Sequence, residues 1–184
     1  MTELAMLADS VGASERTLRR AANRGTIRTV RRSPHRRLVS SSEYAYVRSR
    51  WPLIGSLIQE LRTLPNVRLA TLFGSVARGD DRPESDLDLV VQLRNDGVHE
   101  RAQVAERLEA ASGRAVQLIP LKDARDAPSL LADALRDGRV LIDREEAWPK
   151  LKRSESVIRR RAEKADRELG KNARAALEEL GVLW

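Results

Sequence analysis

The sequence predicts an α+β (α/β) fold, a mixed sheet flanked by helices, with a small basic helical unit before it and a long helix after it. Three observations lead there. Strand-like segments at Arg68 to Phe73, Leu87 to Leu93 and Ala115 to Pro120 alternate with helical patterns at about His99 to Ser112 and Ser129 to Arg136, the order that builds a sheet covered by helices. Residues 1 to 50 carry two short helical repeats, and residues 151 to 180 repeat apolar side chains at intervals of mostly three and four. The boundaries expected are 1–50, 51–145 and 146–184, with the first break near Trp51 and Pro52 as a kink or junction.

Taken in order, Leu4, Leu7, Ala8 and Val11 follow i, i+3, i+4, i+7 spacing and give one amphipathic helix, closing near Gly12. A second starts at Ser14 as N-cap, buries Leu18, Ala21 and Ala22, and stops at Gly25. Two short helices joined by a tight glycine-containing turn read as a helix-turn-helix. Thr26 to Arg32 and Arg36 to Ser40 then read as a hairpin around Ser33-Pro34-His35, a basic wing. From Glu43 to Leu64 the chain is mostly helical, with Ile54, Leu57, Ile58 and Leu61 on one stripe. Gly138 ends the helix after Ser129, and Val140-Leu141-Ile142 completes the sheet region. Leu151, Ile158, Ala162, Ala165, Leu169, Ala173, Ala176 and Leu180 make the seam of a single terminal helix. That seam suits either packing on the chain's own sheet or an interface such as a homodimer, with Leu183 and Trp184 as apolar contacts.

Composition narrows the function classes. A hydrophobic fraction of 41% supports a packed core, and no apolar run approaches a membrane span, so no membrane partner and a cytoplasmic location are expected. The lack of cysteine removes disulfides, thiolate metal sites and thiol nucleophiles. Any metal must be held by oxygen, or by His35 and His99, and His35 reads first as a turn residue. Residues 1 to 50 hold eleven arginines and four acids, whereas the rest holds 23 basic and 23 acidic residues. All the excess positive charge is therefore in the first 50 residues, the mark of a nucleic-acid-binding unit joined to a balanced one.

The richest segment is Leu72-Phe73-Gly74-Ser75-Val76-Ala77-Arg78-Gly79, followed by Ser85-Asp86-Leu87-Asp88-Leu89. Gly74 after a strand lets backbone approach a phosphate, and Ser75 adds a hydroxyl donor. Asp86 and Asp88, one residue apart on a strand, point to one face while Leu87, Leu89, Val91 and Leu93 point to the other. Their repulsion is relieved by a cation, and Mg²⁺ takes one or two carboxylates with phosphate oxygens. An isolated Asp-x-Asp reads as the solvated face of an edge strand. Joined to a Gly-Ser pair with ten residues between, it reads as a site for a divalent cation and a triphosphate.

That spacing resembles the signature of the DNA polymerase β-type nucleotidyltransferases, in particular the minimal nucleotidyltransferases, over about residues 53 to 145. The resemblance implies catalytic, metal-holding Asp86 and Asp88, nucleotide contacts from Gly74, Ser75, Arg78 and Ser85, a Mg²⁺ or Mn²⁺ cofactor and ATP as substrate. One departure is plain. Where such proteins carry a third carboxylate, in a Val-Asp-Leu pattern, this chain has Val116-Gln117-Leu118. Glutamine neither takes a proton nor binds metal as an anion does. Either another acid fills the role, the acceptor hydroxyl is activated without it, or activity is low or lost.

On the second helix Arg16, Arg20 and Arg24 recur at i, i+4, i+8, with Arg19 beside them, and Arg31, Arg32, Arg36 and Arg37 crowd the wing. These suit phosphates and guanine edges of double-stranded DNA. Residues 2 to 50 resemble the winged helix-turn-helix of excisionase-like or MerR-like regulators. Together the resemblances imply a DNA-binding nucleotidyltransferase, the antitoxin and autoregulator of a toxin-antitoxin operon. It would bind its own promoter and transfer AMP to a hydroxyl of a HEPN-type toxin. The alternatives are a transcription regulator whose nucleotidyltransferase fold only senses nucleotide, and a transferase acting on tRNA or an aminoglycoside-like small molecule.

Overall fold

Capping and burial account for the first elements. The computed structural model describes residues 1–33 and 36–179. The expectations for His35, Leu180, Leu183 and Trp184 therefore lie outside the described residues. Strand β1 (Thr2–Glu3) leads into α1 (Leu4–Ser10), and α2 (Glu15–Arg24) begins where the Ser14 hydroxyl accepts the Thr17 amide at 3.1 Å. Gly25, at φ +94°, ends it. Leu7 and Leu18 interlock the pair, both fully buried. Strands β2 (Val30–Arg31) and β3 (Arg37–Val39) form the hairpin, and β1 adds to it in the order β1-β3-β2. The hairpin is shorter than the sequence suggests, because residues 26 to 28 spend their polar groups elsewhere. The Thr26 hydroxyl bonds the Val140 carbonyl, and the Arg28 amide donates to Glu43 at 2.9 Å.

Helix α3 (Ser41–Thr63) runs unbroken through Trp51 and Pro52, capped by Ser40, whose Oγ accepts the Glu43 amide at 3.1 Å. The break expected near Trp51 thus falls inside one helix. It buries Tyr46 and Val47 before the proline and Ile54, Leu57, Ile58 and Leu61 after it, so proline here removes one N–H without ending the helix.

The central sheet comprises β4 (Val67–Phe73), β5 (Leu87–Leu93), β6 (Val116–Pro120) and β7 (Arg139–Asp143) in the order β6-β5-β4-β7. Strand β4 is antiparallel to both neighbours, while β5 and β6 are parallel, joined through α5 (Val98–Ser112). The sheet is mixed, as the alternation of elements predicts. On one face Leu72, Leu87 and Leu89 meet Leu57, Leu61, Val104 and Leu108 from α3 and α5. On the other, Leu69, Phe73 and Val90 meet Leu131, Leu135, Trp148 and Leu151. The latter layer is built from α6 (Leu121–Asp126), α7 (Pro128–Asp137) and α8 (Ala147–Arg153).

The terminal segment, expected as one helix, is two: α8 and then α9 (Glu155–Glu179), separated at Ser154. The Asp143 carboxylate fixes the start of α8 by accepting the Ala147 and Trp148 amides at 3.0 and 2.9 Å, which anchors the buried Trp148. The inner part of α9 packs on α7 through Ile158 and buried Ala162. From Asp166 to Glu178 every residue of α9 is exposed, with Leu169 at 71%. Among the described residues no helix is long and apolar enough to cross a membrane.

Candidate functional site

The chain leaves β4 at Phe73 and turns at Gly74, φ +73°, into the five-residue helix α4 (Gly74–Arg78). Only glycine suits this place: the conformation is left-handed, and a Cβ here would run into the Asp88 carboxylate. Phe73 lies opposite Asp88 in the β4–β5 ladder, so the register itself brings the Gly-Ser turn and the second aspartate together. Ser75 is half-buried, and among the described residues its hydroxyl has no hydrogen-bond partner, although its carbonyl closes α4 by accepting the Gly79 amide at 2.8 Å. The hydroxyl therefore remains free for a ligand.

Asp86 is exposed, Leu87 buried and Asp88 half-buried, the alternation that puts both carboxylates on one side of β5. Burial pushes the Asp88 carboxyl above its ordinary range, the neighbouring Asp86 charge pushes it further, and Arg78 partly offsets both. A carboxylate raised by burial and by a neighbouring acid marks a place where positive charge is short. Gln117 is the β6 partner of Asp88 in the parallel register, on the position adjacent to the pair. Consistent with that glutamine, no group of three His, Cys, Asp or Glu able to hold a metal occurs among the described residues. The pair still fits one divalent cation of the magnesium kind, which needs one or two carboxylates when phosphate oxygens complete its shell.

Two other expected ligands have local roles. The Ser85 hydroxyl accepts the Arg82 amide at 2.9 Å and the Ser85 amide returns to the Arg82 carbonyl at 3.0 Å, so Ser85 folds the turn that delivers Asp86. Arg78 is exposed, bonded to Asp80 at 3.1 Å and 3.9 Å from Asp137, and from there it acts on Asp88. His99 is exposed at the start of α5.

Sequence reasoning missed two buried ionic clusters near the site. The Asp81 carboxylate is fully covered and held by Arg50 at 2.6 Å and Arg114 at 2.8 Å, which pins the loop between α4 and β5 to α3 and to the entry of β6. Arg139, 1% exposed, pairs with Glu43 at 2.6 Å. The available signal was an arginine opening an apolar strand, Arg139-Val140-Leu141-Ile142, but its partner is 96 positions away.

The basic face divides. Arg16, Arg20, Arg31 and Arg32 are exposed and have no acidic partner among the described residues. Arg19 pairs with Glu15, Arg36 with Glu3 at 2.8 Å, and Arg37 reaches Asn23 and Thr29. Arg24 turns inward onto the Leu141 carbonyl, where burial and the nearby Arg62 charge lower its pKa. Its guanidinium docks α2 on the edge strand β7.

A mixed four-stranded sheet, with a glycine-serine turn facing alternate aspartates on the next strand, defines a nucleotidyltransferase-type fold. The chain belongs to the family described as Polymerase beta, Nucleotidyltransferase, whose profile matches residues 56–147. No curated protein matches the chain. Among solved structures it is similar to a chain of a toxin-antitoxin crystallised with AMP-PNP, at 21% identity over 69% of this chain and 97% of that one, with a TM-score of 0.46. It is also similar to a chain of the MntA-HepT toxin-antitoxin, at 19% identity over 70% and 96%, TM-score 0.42. A third is from the complex of tri-AMPylated Shewanella oneidensis HEPN toxin with MNT antitoxin, at 19% identity over 70% and 95%, TM-score 0.43.

Proposed function

We propose that the protein is a Mg²⁺- or Mn²⁺-dependent nucleotidyltransferase that transfers AMP from ATP to a hydroxyl of a partner toxin and binds DNA through its N-terminal segment. The observation that carries the reading is the Gly74 backbone lying directly against Asp88, with the Ser75 hydroxyl, unpartnered among the described residues, beside it. Asp86 and Asp88 would hold the cation, which when bound offsets triphosphate charge and makes the α-phosphorus more electrophilic. Gly74 and Ser75 receive phosphate oxygens through backbone N–H and hydroxyl donors. Arg78 tempers the local negative charge. The acceptor oxygen forms a bond to the α-phosphorus as the bond to the β-phosphate oxygen breaks. Pyrophosphate leaves, and the hydroxyl proton passes to solvent because Gln117 has no basic oxygen to take it.

A HEPN-type toxin is the acceptor suggested by the likeness of the Gly-Ser and Asp-x-Asp segments to minimal nucleotidyltransferases. The exposed outer half of α9, with Leu169, Ala173 and Leu177, is the surface we assign to that partner or to a second copy. Exposed Arg16, Arg20, Arg31 and Arg32 support binding to the protein's own promoter. The second reading, a regulator that binds nucleotide without transferring it, is favoured by Gln117 beside Asp88.

ATP labelled at the α-phosphate, mixed with the neighbouring gene's product and Mg²⁺, tests the first reading. Wild type should label the partner, and Asp86→Asn and Asp88→Asn should lower the rate by at least about a hundredfold, since Asn lacks the charge that holds the cation. Equal labelling by wild type and Asp86→Asn would sink the assignment. Nucleotide binding with no transfer would select the regulator.

A further inference from the structure

Helix α4 is too short to be stable alone, since one turn fixes several dihedrals for a single hydrogen bond. Its carbonyl end is held from outside. The Tyr46 hydroxyl donates to the Val76 carbonyl at 3.1 Å, and Arg139 Nε donates to the Ala77 carbonyl at 2.7 Å. The Tyr46 ring lies under Gly79, where an added Cβ would sit 2.9 Å from Cδ2. Arg139 in turn stacks on that ring, 3.4 Å from its centroid, and grips both Glu43 oxygens at 2.6 and 3.0 Å. Burial pushes the Tyr46 hydroxyl up to about 12, so it stays a donor throughout the neutral range.

Stability does not explain this cluster. A buried ion pair loses several kcal/mol of hydration per ion, and well-packed apolar residues often serve as well. What the planar guanidinium adds is direction, since its donors point along fixed lines. Here those lines run to α4, to Glu43 and, through Nη1 at 3.1 Å, to the Thr26 carbonyl. Glu43 also accepts the Arg28 amide, so the segment after the basic helix α2 is held by the same two side chains.

We propose that Tyr46, Glu43 and Arg139 are positioning residues for the Gly74–Ser75 turn, holding α4 by its Val76 and Ala77 carbonyls and fixing it in register with residues 26 to 28. The proposal rests on that turn being the phosphate site. Its test uses the full chain, Mg²⁺-ATP calorimetry and amide hydrogen exchange at Gly79 and Asp80, whose N–H groups close α4 on the Ser75 carbonyl. Tyr46→Phe keeps the ring and should weaken Mg²⁺-ATP binding about fivefold, the loss that one hydrogen bond gives. Exchange at Gly79 and Asp80 should quicken about tenfold, with α5 unchanged, as expected of local opening. The double variant Glu43→Leu with Arg139→Met removes the charges together, which avoids stranding one. It should stay folded by its α5 exchange and bind Mg²⁺-ATP at least about tenfold more weakly. Unchanged affinity and unchanged exchange in Tyr46→Phe would overturn the proposal, whatever the double variant does. If wild type binds no nucleotide, the phosphate reading falls, and exchange at Gly79 and Asp80 alone decides whether α4 is clamped.

Discussion

Asp81 and Asp88 are the same residue type, seven positions apart, one in the loop that leads into β5 and the other on that strand. Burial alone would raise both. For Asp81 the guanidinium groups of Arg114 and Arg50 outweigh that and hold the carboxyl below its ordinary value, whereas Asp88 faces Asp86 and rises. The first is a finished structural contact, with its charge already answered by the fold. The second is answered only in part, by Arg78, and such divergence among neighbouring acids makes Asp88 the candidate site residue.

The contrast breaks most violently at Asp81. Asp81→Ala leaves two half-buried arginines without their carboxylate and should destabilise the fold by about 2–3 kcal/mol, measured by urea unfolding. A loss under about 1 kcal/mol would mean that the cluster is no anchor. Gln117→Asp acts on the other side of the comparison, by restoring a third carboxylate beside Asp88. It should raise transfer about a hundredfold over wild type, the low end of what one general base contributes. An unchanged rate would show that the acceptor is activated elsewhere.

The smallest effect is on pH dependence. Asp81, depressed in the fold, contributes stability above the ordinary carboxylate pKa of 3.8, and that contribution is lost as pH falls through its native value. Asp88 has the opposite sign. Its native pKa is raised, so the folded state binds the proton more tightly, and stability declines as pH climbs from 3.8 through the native value. Asp88→Asn should therefore be slightly more stable than wild type at pH 7 and indistinguishable from it well below 3.8, by thermal melts at both. Lower stability of Asp88→Asn at pH 7 would contradict the sign.

Much of this was legible in the sequence. Alternation along Leu87 to Leu93 fixes which face Asp86 and Asp88 share, and the Gly74-Ser75 turn after β4 is local chemistry. The caps at Ser14 and Gly25 are equally local. What escaped is long-range: Arg139 with Glu43, and Asp81 with Arg50 and Arg114, are pairings that no spacing encodes. Arg24 shows the same limit. Its i, i+4, i+8 phase with Arg16 and Arg20 describes α2 alone, and only the docking of α2 on β7 turns it inward. The start of α8 likewise depends on Asp143, a contact across the strand end.

We propose that the excess negative charge at Asp86 and Asp88 is where a cation brings nucleotide to the Gly74 turn. Calorimetric titration of ATP into wild type and Asp88→Asn, each with Mn²⁺ and with chelator, reads it directly. Wild type should bind ATP at least about tenfold more tightly with Mn²⁺ than without, and Asp88→Asn should lose that gain. Equal Mn²⁺ enhancement in both proteins, or ATP binding indifferent to the metal, would contradict the account.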